Sequence, residues 1–146
     1  MNVGNDYWFR SGNKGSGPHD VDSARFFFVE GLKELEKDWM KDPWKYAEFV
    51  SGAHGNLADL ALSTGDEKGL EDHLRHMLGV YRHQGPLPLT MQHLDEIDDE
   101  LEVLRNGVSF ARLLKELYER TRDPLHQELH DGFLELYDRF ARKRLA

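Results

Sequence analysis

Residues 90–117, TMQHLDEIDDELEVLRNGVSFARLLKEL, carry the longest periodic pattern in the chain. Leu94, Ile97, Leu101, Leu104, Val108, Ala111, Leu114 and Leu117 recur at intervals of three and four, the spacing of one helix face rather than of a strand. The repeat reads as a heptad seam. Asn106 and Gly107 interrupt it and favour a helix end there, with a new helix capped at Ser109. An unbroken helix of about 30 residues would be a rod of about 45 Å, long against the radius of gyration of about 15 Å expected for a compact domain of this size.

The same period extends outward in both directions. Downstream, Asp123 and Pro124 open a last helix with Leu125, Leu129, Phe133, Leu136 and Phe140 inward. Upstream, a helix over 66–84 places Leu70, Leu74, Met77, Leu78 and Tyr81 on one side and stops at Gly85, Pro86 and Pro88. Before it, a helix from Pro43 to about Ser63 buries Tyr46, Phe49, Val50, Ala53, Leu57, Leu60 and Ala61. Gly52, Ala53 and Gly55 lie inside it, so either a neighbouring helix crosses closely or the helix breaks. The first helix, capped at Asp20, Asp22 or Ser23 and running to about Lys41, aligns Phe28, Leu32, Leu35 and Trp39. Phe26, Val29 and Met40 lie off that stripe and predict a second covered side. No alternating strand pattern occurs in the sequence, so the expected fold is all-α: a compact bundle of five or six helices over residues 21–146. Residues 1–20 read as a flexible Gly-rich arm anchored by Tyr7, Trp8 and Phe9. Gly12 to Gly17 superficially resemble a phosphate loop, but the lysine falls inside the glycines.

Composition narrows the classes of function. The 146 residues are 39% hydrophobic and contain no cysteine, which excludes a disulfide scaffold and cysteine-ligated zinc. No apolar run approaches the roughly 20 residues that span a bilayer, and Met1–Arg10 lacks the apolar stretch of a secretory signal, so a cytoplasmic protein without membrane contact is expected. The net charge of −8 is concentrated in the middle: Tyr46–Arg105 holds 4 Lys/Arg against 12 Asp/Glu, whereas the flanking segments are close to balanced. Such a segment repels phosphate backbones, and nucleic-acid binding is not expected. The basic group Arg139, Arg142, Lys143 and Arg144 complements the negative pole of a terminal helix.

Two constellations carry chemistry. His126 and His130 stand one helical turn apart, and His54 lies on an earlier helix; His73 and His76 are alternative suppliers of a third imidazole. His54, His126 and His130 resemble, in helix order, the tri-histidine site of DinB-type bundles, although Asp131, Gly132 and Phe133 replace the Arg, Gly and Gln of that family. The resemblance implies a metal-dependent enzyme holding zinc, nickel or iron at an open site that activates water or a thiol. The second constellation is the run from Asp95 to Glu102. Its Glu96 and Asp99 resemble the Glu-x2-Asp helix of MazG-type all-α nucleotide pyrophosphohydrolases, which implies magnesium and a nucleoside triphosphate. The Glu-x2-Glu element of that family is missing from the preceding helix; Glu116 and Glu119 have the spacing but come later.

Without a complete catalytic motif, the expectation is a small acidic binding or regulatory protein of the inhibitor, antitoxin, immunity or accessory-subunit type. It would need no cofactor, and a homodimer is left open. Asp95, Glu96, Asp98, Asp99 and Glu102 would dock a protein partner with a basic surface.

Overall fold

The structure, a computed structural model, describes residues 18–145 and shows an all-α bundle with no strand among them. Its helices are α1 (Pro18–Lys41), α2 (Pro43–Ser63), α3 (Glu67–Val80), α4 (Met91–Asp95), α5 (Glu100–Thr121) and α6 (Pro124–Leu145). The expected arm lies outside the described residues except for its last positions, since α1 already begins at Pro18. No described helix is long and apolar enough to cross a membrane.

Sequence-local capping sets most boundaries. Asp42 accepts from the Lys45 N–H at 3.3 Å with Pro43 behind it, and Asp66 accepts from the Gly69 N–H at 2.9 Å. Each satisfies a donor that the first helical turn leaves unpaired. After α3 the chain doubles back so tightly that a β-carbon on Gly79 would lie 2.0 Å from the Gly85 carbonyl oxygen. Only glycine permits that approach.

Two hydrophobic clusters result. α1 lays Ala24, Phe28 and Leu32 on Ala47, Val50, Ala53 and Leu57 of α2. The larger cluster joins α3, α5 and α6 around Tyr81, Phe110 and Phe133, whose ring centroids lie 4.7 to 5.8 Å apart. α2 packs on α1, α3 and α5, α5 packs on α6, and α4 rests against α6.

The structure corrects the reading of residues 90–121. The chain breaks at 96–99, not at Asn106 and Gly107, because Asp99 caps α5 by accepting from the Glu102 N–H at 3.1 Å. Gly107 is helical and faces α6: a β-carbon there would sit 2.9 Å from Tyr137 Cδ2 and 3.2 Å from Phe133. The cap also resets the helical phase. Leu101 and Val108, assigned to the heptad seam, are exposed, whereas Val103, Phe110 and Leu113 are buried. Phe49 on α2 is also exposed, while the other apolar positions expected on that face are buried or half-buried.

Candidate functional site

The acidic run does not form one docking face. Asp95 ends α4 and Asp98 lies in the following loop, both exposed. Glu96 is exposed but pairs with Arg82 at 2.8 Å. Asp99 is 3% exposed, caps α5, and accepts from His83 Nε2 at 2.8 Å. Glu102 is fully buried: one carboxylate oxygen accepts a short hydrogen bond from Asn106, and the other has no hydrogen-bond partner. Burial pushes the Glu102 carboxyl up to about 7, a rise that the Asn106 bond opposes and Asp99 reinforces. Neighbouring segments therefore absorb much of the mid-chain charge. Glu96 and Asp99, expected on one helix face, instead cap different helices and turn to different partners.

The histidines are also redistributed. His54 on α2 is 2% exposed and meets α3, not α6. Its Nδ1 lies 3.0 Å from His73 Nδ1, so one ring donates and the other accepts, while His76 stacks on its face at 4.3 Å between centroids. Glu36 of α1 stands 3.9 Å from His54 Nε2. Burial, with His76 and then His73 adding to it, drives the His54 pKa down to about 2. Burial likewise lowers His73 to about 4, against the pull of Asp72. His126 and His130 sit on α6 with separate duties: the Thr121 hydroxyl, which receives the Asp123 N–H, donates to His126 Nδ1 at 2.6 Å, and His130 Nδ1 donates to Asp131 at 3.0 Å. The grouping of His54 with His126 and His130 is therefore not formed, and no set of three or more His, Asp or Glu among the described residues is arranged to hold a metal ion. The i, i+19 and i, i+22 relations of His54 to His73 and His76 depend on how α2 and α3 cross, which spacing alone does not encode.

A cleft of about 480 Å³ lies where α2 begins, α5 begins and α6 ends. Trp44 and Leu101 supply its apolar walls, at 62% and 42% exposure. Trp44 stands edge-on to the His83 ring at 4.0 Å, so the His83–Asp99 bond underpins it. Asp98, Glu100, Arg105, Lys143 and Arg144 supply its charged lining. Lys143 reaches Glu100 at 3.0 Å, which ties the C-terminal turns of α6 to the start of α5. The sequence marks neither Trp44 nor Arg105 for this role; the one local signal is an aromatic immediately after a helix-opening proline.

Compared with protein-family models, curated proteins and solved structures, the chain shows no match.

Proposed function

We propose that this chain is a small helical binding protein that docks a partner protein at the Trp44 cleft. The observation that carries the reading is Trp44 itself, a large indole left 62% exposed yet fixed against His83. Exposed, well-supported tryptophan beside arginine is the composition of interface hot spots. A small molecule would bury little of itself here, because both apolar walls stand in solvent. A protein surface can cover them.

The partner chemistry follows from the rim. The rim carries both signs, Asp98 and Glu100 with Arg105, Lys143 and Arg144, and Glu100 is paired with Lys143; the exposed Asp98 and the chain's −8 overall supply the attraction for a basic partner surface. Apolar contact with Trp44 and Leu101 then holds it. Asp99 and Glu102 contribute by positioning the helix start rather than by touching the partner.

The test is a photoreactive amino acid placed at position 44 and, as a control, at the exposed Val108, followed by irradiation in native lysate. Capture of one discrete protein from position 44 alone, diminishing as salt rises, supports the reading. Equal capture at both positions, or none at position 44, contradicts it.

A further inference from the structure

α1, α2 and α3 meet around a pocket of about 180 Å³ that the turn after α3 closes on one side. Backbone bonds hold that turn in place, the Gln84 N–H donating to the Gly79 carbonyl at 2.9 Å and the Leu87 N–H to the Arg75 carbonyl at 3.1 Å. Trp39, Met40, Val50, Val80 and Pro86 supply apolar walls. Met40 is exposed while Val50 and Val80 are buried, so the pocket runs from an open rim down to the two valines.

A single fixed charge lines this apolar space. Among the described residues around the pocket, Glu36 is the one Asp, Glu, Lys or Arg, and its side chain is half-buried. No lysine or arginine among the described residues pairs with it: Lys33 and Lys37 of the same helix are taken by Glu30 and Glu34 at 3.1 and 3.4 Å. His54 Nε2 stands 3.9 Å away, beyond hydrogen-bond distance, and burial keeps that ring neutral. A carboxylate against apolar walls gives up hydration, and without a counter-charge it receives nothing in exchange. A cation entering the pocket supplies what is missing.

We propose that this pocket binds a small organic cation, an ammonium group carried on a single-ring apolar body. Size sets the body: a cavity of about 150 Å³ suffices for a benzene ring, so one ring with a short ammonium arm fits the volume. The walls suit a ring, since an indole and a thioether both make favourable aromatic contacts. Charge sets the arm. Glu36 and Trp39 stand three residues apart on α1 and are neighbours on its surface, so an ammonium on the carboxylate also comes within reach of the indole face. An anion would meet Glu36 and the chain's −8 with nothing to offset them. The pocket shares no described lining residue with the Trp44 cleft, and either site can stand without the other.

Titration of the full chain with benzylammonium, benzyl alcohol and benzoate, followed by proton–nitrogen correlation NMR, tests the site with three probes of one shape and different charge. Benzylammonium is expected to shift the Trp39 indole N–H with a dissociation constant on the order of 1 mM, benzyl alcohol to bind roughly fivefold more weakly and benzoate at least roughly tenfold more weakly. Glu36→Gln should bring benzylammonium down to the level of benzyl alcohol while leaving the alcohol unchanged. Glu34→Gln, which removes an exposed carboxylate outside the pocket, should keep the preference for the cation. Four results overturn the proposal: no Trp39 shift with benzylammonium at about 20 mM; three probes binding alike; a preference for the cation that survives Glu36→Gln; or shifts centred on Trp44 instead of Trp39.

Discussion

His83 donates from Nε2 to Asp99 Oδ2 across 2.8 Å, joining the turn after α3 to the first turn of α5. The same carboxylate accepts the Glu102 N–H, so one buried side chain sets a helix start, fixes a loop and supports Trp44 through His83.

Removing that carboxylate should therefore cost more than removing its exposed neighbours. Asp99→Ala is expected to lower unfolding free energy by about 2–3 kcal/mol, from a lost cap and an orphaned imidazole. Asp95→Asn and Asp98→Asn should each stay within about 0.5 kcal/mol of wild type. Urea denaturation distinguishes the three, and equal effects would mean that Asp99 has no special structural duty.

Protonation of the α2–α3 interface gives a second prediction. His54 and His73 stay neutral in the folded protein down to about 2 and about 4, whereas an unfolded imidazole takes a proton near 6.5. Below pH 6.5 the unfolded chain thus binds more protons, and each histidine removes about 1.4 kcal/mol of stability per pH unit until its folded value is reached. Stability curves of wild type and His54→Asn between pH 7 and 4.5 should converge as pH falls. Parallel curves would show that His54 is not held neutral.

Glu102 titrates with the opposite sign. Its folded value of about 7 exceeds the ordinary 4.5, so its contribution is fully present below pH 4.5 and is lost as pH rises through 7. Glu102→Gln should be close to neutral at pH 4.5 and stabilising by about 1–3 kcal/mol at pH 8. A substitution with the same effect at both values would contradict a charge buried at high pH.

Two glycines should respond in opposite directions to alanine. Gly107→Ala drives a methyl against Tyr137 and Phe133 and should cost about 1–3 kcal/mol. Gly52→Ala meets open space and should gain up to about 1 kcal/mol. Thermal unfolding of the pair checks both, and matching signs would show that helix propensity alone governs these positions.

Much of this architecture is legible from local chemistry. Apolar spacing gives the buried faces of α3 and α6, and Asp42–Pro43 and Asp123–Pro124 mark helix starts. The stretch 90–117 misleads because Leu94 and Ile97 are apolar for a different reason from Leu114: they belong to opposite sides of a cap, and the three-four spacing runs across it by coincidence of phase. Charge is less legible still. Asp99 and Glu102 look like members of a solvated run, and only the packing of α2 and the α3 turn against α5 shows that they are inside. The His54–His73 contact and the Trp44 cleft arise from chain crossings, which no spacing rule records.

The most direct test of the binding account is the affinity of the protein captured at position 44, measured for wild type, Trp44→Ala and Asp95→Asn/Asp98→Asn by surface plasmon resonance. Trp44→Ala is predicted to weaken binding at least roughly tenfold, mainly through faster dissociation, and the double asparagine variant to slow association several-fold at low salt. Wild-type affinity in a folded Trp44→Ala protein would contradict it.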